Sequence, residues 1–119
     1  RLLEGGAEIN QARTSDGATP LFIATQAGHL DVVGQLLDTG ADVNQARTSD
    51  GATPLYRAAS EGHVDVVGRL LQAGADLYQA RTSDGATPLL VAARNLHREA
   101  VARLLQAGAP MKQVWPLLV

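Results

Sequence analysis

The sequence contains no cysteine, which excludes disulfides and thiolate metal sites and favours a reducing compartment. Aromatic residues make up only 3% of the chain although apolar residues make up 45%, so the core must be thin layers of Ala, Leu and Val. No apolar run reaches the ~20 residues of a membrane-spanning helix. The formal net charge of −2 gives no general attraction for phosphate backbones or anionic lipids. We therefore expect an intracellular, cytoplasmic protein that binds neither nucleic acid nor membrane.

The block QARTSDGATPL occurs three times, at 11–21, 45–55 and 79–89, with a step of 34 residues. Arrays of such units bury their core between neighbouring repeats. Because Arg1 stands inside the pattern, we expect the chain to be cut from a longer array. The step divides one domain of residues 1–119 into a partial repeat (1–9), a first repeat (10–43), a second repeat (44–77), a third, cap-like repeat (78–111) and an apolar tail (112–119).

Each unit predicts a turn-rich finger followed by two short helices. In the second repeat, the Thr53 hydroxyl can cap a helix that Pro54 begins. Gly62 can end that helix in the left-handed conformation. A second helix follows from about Val64 and closes at Gly74. An Asp-Gly pair before the first helix is typical of a hairpin tip.

Several motifs keep this phase, and together the sequence resembles the ankyrin repeat. They are Thr-Pro-Leu at 19–21, 53–55 and 87–89, Ala-Ala at 58–59 and 92–93, Gly-His at 28–29 and 62–63, and Gly-Ala-Asp-Val-Asn at 40–44. The tetratricopeptide repeat has a similar period, but its two helices have little between them. The resemblance implies an all-α repeat solenoid, an array of helix–turn–helix units joined by β-hairpin-like fingers. It also implies a non-enzymatic module that binds a protein through its concave face.

The chain departs from the family pattern in three ways. Each unit is one residue longer than usual, which lengthens the finger. The His that typically follows Thr-Pro-Leu is replaced by Phe22, Tyr56 and Leu90, so the polar network of that His is absent or rebuilt. In the third repeat Leu96 stands at the position of Gly62, as expected of a C-terminal cap. We expect the apolar tail to fold back over this cap in a monomer; the alternatives are a dimer contact or the remnant of another repeat.

No residue set predicts catalysis, a cofactor or a metal site. His29, His63 and His97 recur at 34-residue steps. Because stacked helices lie ~8–10 Å apart, these rings cannot share one zinc ion and are better explained as hydrogen-bonding residues of the turn. A column of finger arginines is matched by a column of finger aspartates, which predicts charges that compensate each other. Gly34 and Gly68, inside second helices, have no explanation from the sequence.

The repeats differ mainly along their first helices, and this locates the predicted binding surface. In ankyrin proteins the end of this helix and the finger tips line the groove. The positions carried over are Ser15, Asp16, Gln26, Ala27, Ser49, Asp50, Ser60, Glu61, Ser83, Asp84, Arg94 and Asn95. Tyr56 and Arg57 are added because Tyr and Arg are enriched at interface hot spots. Alternatively, Arg57 simply pairs with Glu61 four residues on.

The resemblance also implies a modification. Some ankyrin proteins are hydroxylated on an Asn that follows Leu, five residues, an acidic residue and an aliphatic one, and Asn10 and Asn44 fit this pattern. The alternative is that both are structural residues of the turn. Two other functions stay open beside protein binding: a structural spacer or scaffold segment of a longer ankyrin array, and a consensus-like engineered repeat scaffold.

Overall fold

The structure is a computed structural model that describes residues 9–109. Its helices in that range are α1 (Pro20–Ala27), α2 (Leu30–Thr39), α3 (Pro54–Glu61), α4 (Val64–Gln72), α5 (Pro88–Arg94) and α6 (Arg98–Gln106). The helices α1, α3 and α5 pack side by side in one layer, and α2, α4 and α6 form a second layer against it. None exceeds 10 residues, so each depends on its neighbours for stability. The predicted all-α repeat solenoid is confirmed.

The first helix of every repeat begins in the same way. The hydroxyls of Thr19, Thr53 and Thr87 accept hydrogen bonds from the backbone N–H three residues on, at 3.1, 3.1 and 3.2 Å. A proline follows each threonine at the first helical position, where its missing N–H costs no helical bond. The predicted Thr-Pro start is therefore confirmed in all three repeats.

Each first helix is followed by a residue with positive φ at the position of Gly28; in the third repeat this residue lies one position after the C-cap, Asn95. Gly28 has φ +76° and Gly62 has φ +74°, as their positions predict. Leu96, at the equivalent position of the third repeat, keeps this conformation with φ +62°. It is the non-glycine residue with positive φ in the described range, and its side chain is 81% exposed.

The fingers are closed turns. In the second repeat, Arg47 N–H donates to Ala52 O at 2.8 Å and Gly51 N–H donates to Arg47 O at 2.7 Å. The other two fingers repeat this pair of bonds. The fingers form no paired β-strands beyond these turns, and residues 9–109 contain no strand. The β-hairpin character expected for the fingers is therefore not confirmed.

The core is thin and lies largely between repeats. Small residues such as Ala52, Ala58 and Ala92 are fully buried and let the elements approach closely. The largest fully buried side chains are Tyr56 and Phe22, one in each of two neighbouring first helices. The predicted role of the tail 112–119, including its dimer contact, lies outside the described residues.

The two mid-helix glycines lie where an arginine of the next repeat crosses the helix. A Cβ at Gly34 would be 3.8 Å from Arg69 Nε, and a Cβ at Gly68 would lie against the guanidinium of Arg103. Arg69 also donates to Asp38 Oδ1 at 2.6 Å across the interface. Gly68 thus leaves room for the arginine of the next repeat, whereas a Cβ at Gly34 would make only an ordinary contact with Arg69.

Candidate functional site

Most of the predicted surface is accessible. The exposed members are Ser15, Gln26, Ala27, Ser49, Glu61, Ser83, Asp84, Arg94 and Asn95. The half-buried members are Asp16, Asp50, Arg57 and Ser60. The helix-end members occupy equivalent positions on α1, α3 and α5, which pack side by side. The structure therefore brings them together along one edge of the first-helix layer.

Tyr56 is the member whose predicted place is wrong. Only 2% of it is exposed, so it offers a partner no surface. Tyr56 lies in the first turn of α3 beside Leu55, and both side chains are in the core. Tyrosine is common in interfaces, but here the large area that its ring buries stabilises it in the core.

Tyr56 and Phe22, its counterpart in the first repeat, each make a contact that the sequence analysis did not predict. The guanidinium of Arg47 lies 4.7 Å from the ring centre of Phe22, and that of Arg81 lies 4.8 Å from the ring centre of Tyr56. A cation that lies over a ring face at this distance is attracted to the ring. The network expected from a histidine is thus rebuilt as a stack between repeats. A detectable signal was present, since each aromatic residue is followed by Arg 25 positions later.

The finger arginines and aspartates form an alternating row. Arg47 pairs with Asp50 at 2.9 Å and reaches back to Asp16 at 3.8 Å. Arg81 pairs with Asp84 at 2.6 Å and reaches back to Asp50 at 3.9 Å. The predicted compensation of charge is confirmed, and it extends from one repeat to the next.

Backbone hydrogen bonds also join the finger tips. Ser49 N–H donates to Asp16 O at 3.0 Å, and Ser83 N–H donates to Asp50 O at 3.2 Å. The hydroxyls of Thr48 and Thr82 donate to the same two carbonyls. The tips therefore form one continuous edge rather than three independent loops.

The arginines lower the pKa of the finger carboxyls. The hydrogen bond from Arg81, aided by the N–H of Ala86, lowers the pKa of Asp84 to about 2. The pKa of Asp16 is lowered chiefly by its hydrogen bond with Arg13, and that of Asp50 by its bond with Arg47. The folded array therefore holds these carboxylates ionised in moderate acid.

This gives a prediction for pH dependence. Because the folded pKa lies below the unfolded one, the unfolded chain binds more protons as pH falls from about 4 to 2. The stabilisation is fully present above that window and is lost as pH falls through it. Urea unfolding at pH 7, 4 and 2 measures the loss, and Asp84→Asn should reduce it. The exposed Asp65→Asn variant serves as control, and an identical acid loss in Asp84→Asn would contradict the prediction.

Two histidines form hydrogen bonds with the edge made by the ends of the first helices, called the helix-end edge below. His63 Nε2–H donates to Gln26 O at 3.2 Å, and His97 Nε2–H donates to Ser60 O at 3.0 Å. Asn95 Nδ2 donates to the same Ser60 carbonyl at 3.0 Å. The predicted hydrogen-bonding role of these turn histidines is confirmed for both rings. Within residues 9–109, no cluster of three or more His, Asp or Glu side chains could hold a metal ion.

Arg57 and Glu61 form an ion pair at 3.3 Å, as the alternative interpretation of Arg57 predicts. The arginine side chain is only 19% exposed, and its guanidinium lies 5.8 Å from the ring centre of Phe22. Its Nε is buried and makes no hydrogen bond. Arg57 is thus mainly held by its own repeat and the one before, with a narrow exposed margin.

Asn10 and Asn44 both carry an interface hydrogen bond. Asn10 Oδ1 accepts from Asp42 N–H at 2.7 Å, and Asn44 Oδ1 accepts from Asp76 N–H at 2.7 Å. This is the structural role expected of a turn asparagine, and hydroxylation of either residue stays a prediction.

An open groove lies at the N-terminal end of the described array. Its volume is about 800 Å³, and Ile23, Ala27, His29 and Val32 are among its lining residues. Ile23 and Val32 are each 43% exposed. Ala27 alone joins it to the predicted surface, so the groove and the helix-end edge are mostly separate. No helix of the described residues is long and apolar enough to cross a membrane.

Comparison with known protein families agrees with the geometry. The family description "Ankyrin repeats (3 copies)" matches residues 1–81 and 45–114. Comparison with curated protein sequences returns no match. Ankyrin repeats are generally protein–protein interaction modules and are typically non-enzymatic. With matches that cover nearly the whole chain, and with paired helices stacked in register, the chain belongs to the ankyrin repeat family.

Proposed function

We propose that the array binds a segment of a partner protein along the concave surface formed by the ends of the first helices and the finger tips. This surface consists of Ser15, Asp16, Gln26, Ala27, Ser49, Asp50, Arg57, Ser60, Glu61, Ser83, Asp84, Arg94 and Asn95. It contains no buried residue, and Tyr56 is left out.

One observation carries the proposal. The accessible residues at the ends of the first helices differ from repeat to repeat, whereas the surrounding framework is repeated. The last two positions read Gln26-Ala27, Ser60-Glu61 and Arg94-Asn95. The fingers and the Thr-Pro-Leu helix starts around them recur unchanged. A rigid frame that presents different polar, acidic and basic groups side by side is suited to recognising one extended segment.

The finger row favours the same surface. Its carboxylates are occupied by arginines, whereas the hydroxyls of Ser15, Ser49 and Ser83 are exposed. The row therefore offers uncharged hydrogen-bonding groups. At the neighbouring helix ends, exposed Arg94 offers a positive charge, and Glu61 offers a carboxylate that also pairs with Arg57.

The test compares two double variants. Glu61→Ala with Arg94→Ala removes the two helix-end charges, while Gln72→Ala with Gln106→Ala changes exposed residues at the ends of second helices. Partners are captured from a lysate of the source cells and their affinity is then titrated. We expect at least a tenfold loss for the first variant and less than twofold for the second, with equal thermal midpoints. Equal binding by both variants would contradict the proposal.

A spacer role is the second candidate, and the near-identity of the fingers favours it. Residues under selection to recognise different surfaces would be expected to diverge, yet all three finger tips read Thr-Ser-Asp-Gly. If neither double variant alters any captured protein, the spacer becomes the better explanation.

A further inference from the structure

The residue that ends each first helix meets the next repeat. A Cβ added at Gly28 would lie 2.9 Å from the ring of His63, and one at Gly62 would lie 2.6 Å from the ring of His97. Real Cβ atoms essentially never approach other atoms so closely. Each ring is hydrogen-bonded to the preceding repeat, so a ring that turned away would lose that bond. In this stacking register, the position requires glycine wherever a repeat with such a histidine follows.

The third repeat breaks this requirement with a large side chain. Leu96 occupies the same position and the same left-handed conformation, and it is 81% exposed. A left-handed conformation is uncommon for a non-glycine residue, and burial in a core does not explain its presence here. Its Cβ already fills the place that the next ring would take, and three more carbons lie beyond the Cβ.

At a second position, too, the third repeat has a larger residue where the first two repeats have glycine. Gly68 in α4 leaves room for the guanidinium of Arg103, and Gly34 lies beside Arg69. The equivalent residue of α6 is Ala102, which is exposed. A Cβ would crowd the next repeat at Gly68 but would make an ordinary contact at Gly34, so Ala102 is a weaker obstacle than Leu96.

We propose that Leu96, supported by Ala102, closes the outer face of the third repeat to any ankyrin repeat that carries a histidine at the position of His63. The first repeat of a second copy is excluded in this way, because it carries His29 there. Copies therefore do not join end to end in the register that joins the repeats within one chain.

The test adds a repeat at two places in the full chain. A copy of residues 44–77 is inserted after residue 111, or, as a control, after residue 77. The terminal insertion is made with Leu96, with Leu96→Gly, and with Leu96→Gly plus Ala102→Gly. Residues 112–119 stay the same throughout. Urea unfolding gives the m-value, which scales with the surface that unfolding exposes.

The internal copy is expected to raise the m-value by about a third, because a fourth repeat adds to three. The terminal copy should add almost nothing with Leu96 and the full increase with the glycine variants. Leu96 is exposed, so Leu96→Gly without an added repeat should fold normally. The proposal is overturned if the terminal copy raises the m-value equally with Leu96, or if neither glycine variant restores the increase.

Discussion

Replacing Tyr56 with alanine is expected to lower the free energy of unfolding by about 3–5 kcal/mol. Tyr56 is among the largest fully buried side chains and lies in the first helix of the middle repeat. Its removal leaves a cavity in the core beside α3. It also removes the ring over which Arg81 lies. Urea unfolding monitored by circular dichroism measures the loss.

The matched control is Tyr56→Phe. Phe22 fills the same position of the first repeat under Arg47, so a phenylalanine ring is compatible with the stack. We expect this variant to lose less than about 1.5 kcal/mol. A small loss for Tyr56→Ala would show that the ring is not packed between repeats. Loss of partner binding in that variant would report unfolding and not the loss of a contact.

The second large effect is expected for Gly51→Ala in the finger of the second repeat. Gly51 has φ +77°, and its Cβ would lie 2.7 Å from the backbone nitrogen of Thr82. A backbone atom cannot rotate away, so the two fingers must separate and lose the bond from Ser83 to Asp50. Strain at positive φ and overpacking together predict a loss of about 2–5 kcal/mol.

The chain contains its own control for this substitution. Gly85 has φ +73° in the same sequence context, but a Cβ there would meet none of the residues 9–109 within 4 Å. Gly85→Ala should therefore cost only the conformational part, about 1–2 kcal/mol. The difference between the two variants isolates the contact between fingers. Equal losses would mean that the fingers are not packed against each other.

The sequence could predict the local start and end of each first helix because the signals are local. Thr53 and Pro54 act within one turn, and Gly62 has few alternatives at a left-handed position. These features follow from backbone chemistry, and the period then repeats them along the chain. The fingers were predicted less well, because an Asp-Gly pair indicates a tight turn but not whether strands pair beyond it.

Contacts between repeats were harder to predict from the sequence. Gly34 and Gly68 lie beside arginines of the next unit, and Arg81 of the next unit lies over the Tyr56 ring. Residue type alone could not place Tyr56, because tyrosine suits both a core and an interface. Within the candidate surface, the sequence correctly gave Glu61 and Arg94 an exposed position. Which partner they meet depends on chemistry outside this chain.

The hydrogen bonds of the histidines make each interface separately visible by spectroscopy. The ring N–H of His63 is held by the first repeat and that of His97 by the second, so both protons should exchange slowly with water. For His29 no such acceptor lies among the described residues, and its ring is exposed. A nitrogen-edited spectrum of three imidazoles could therefore report, one junction at a time, where the array begins to open.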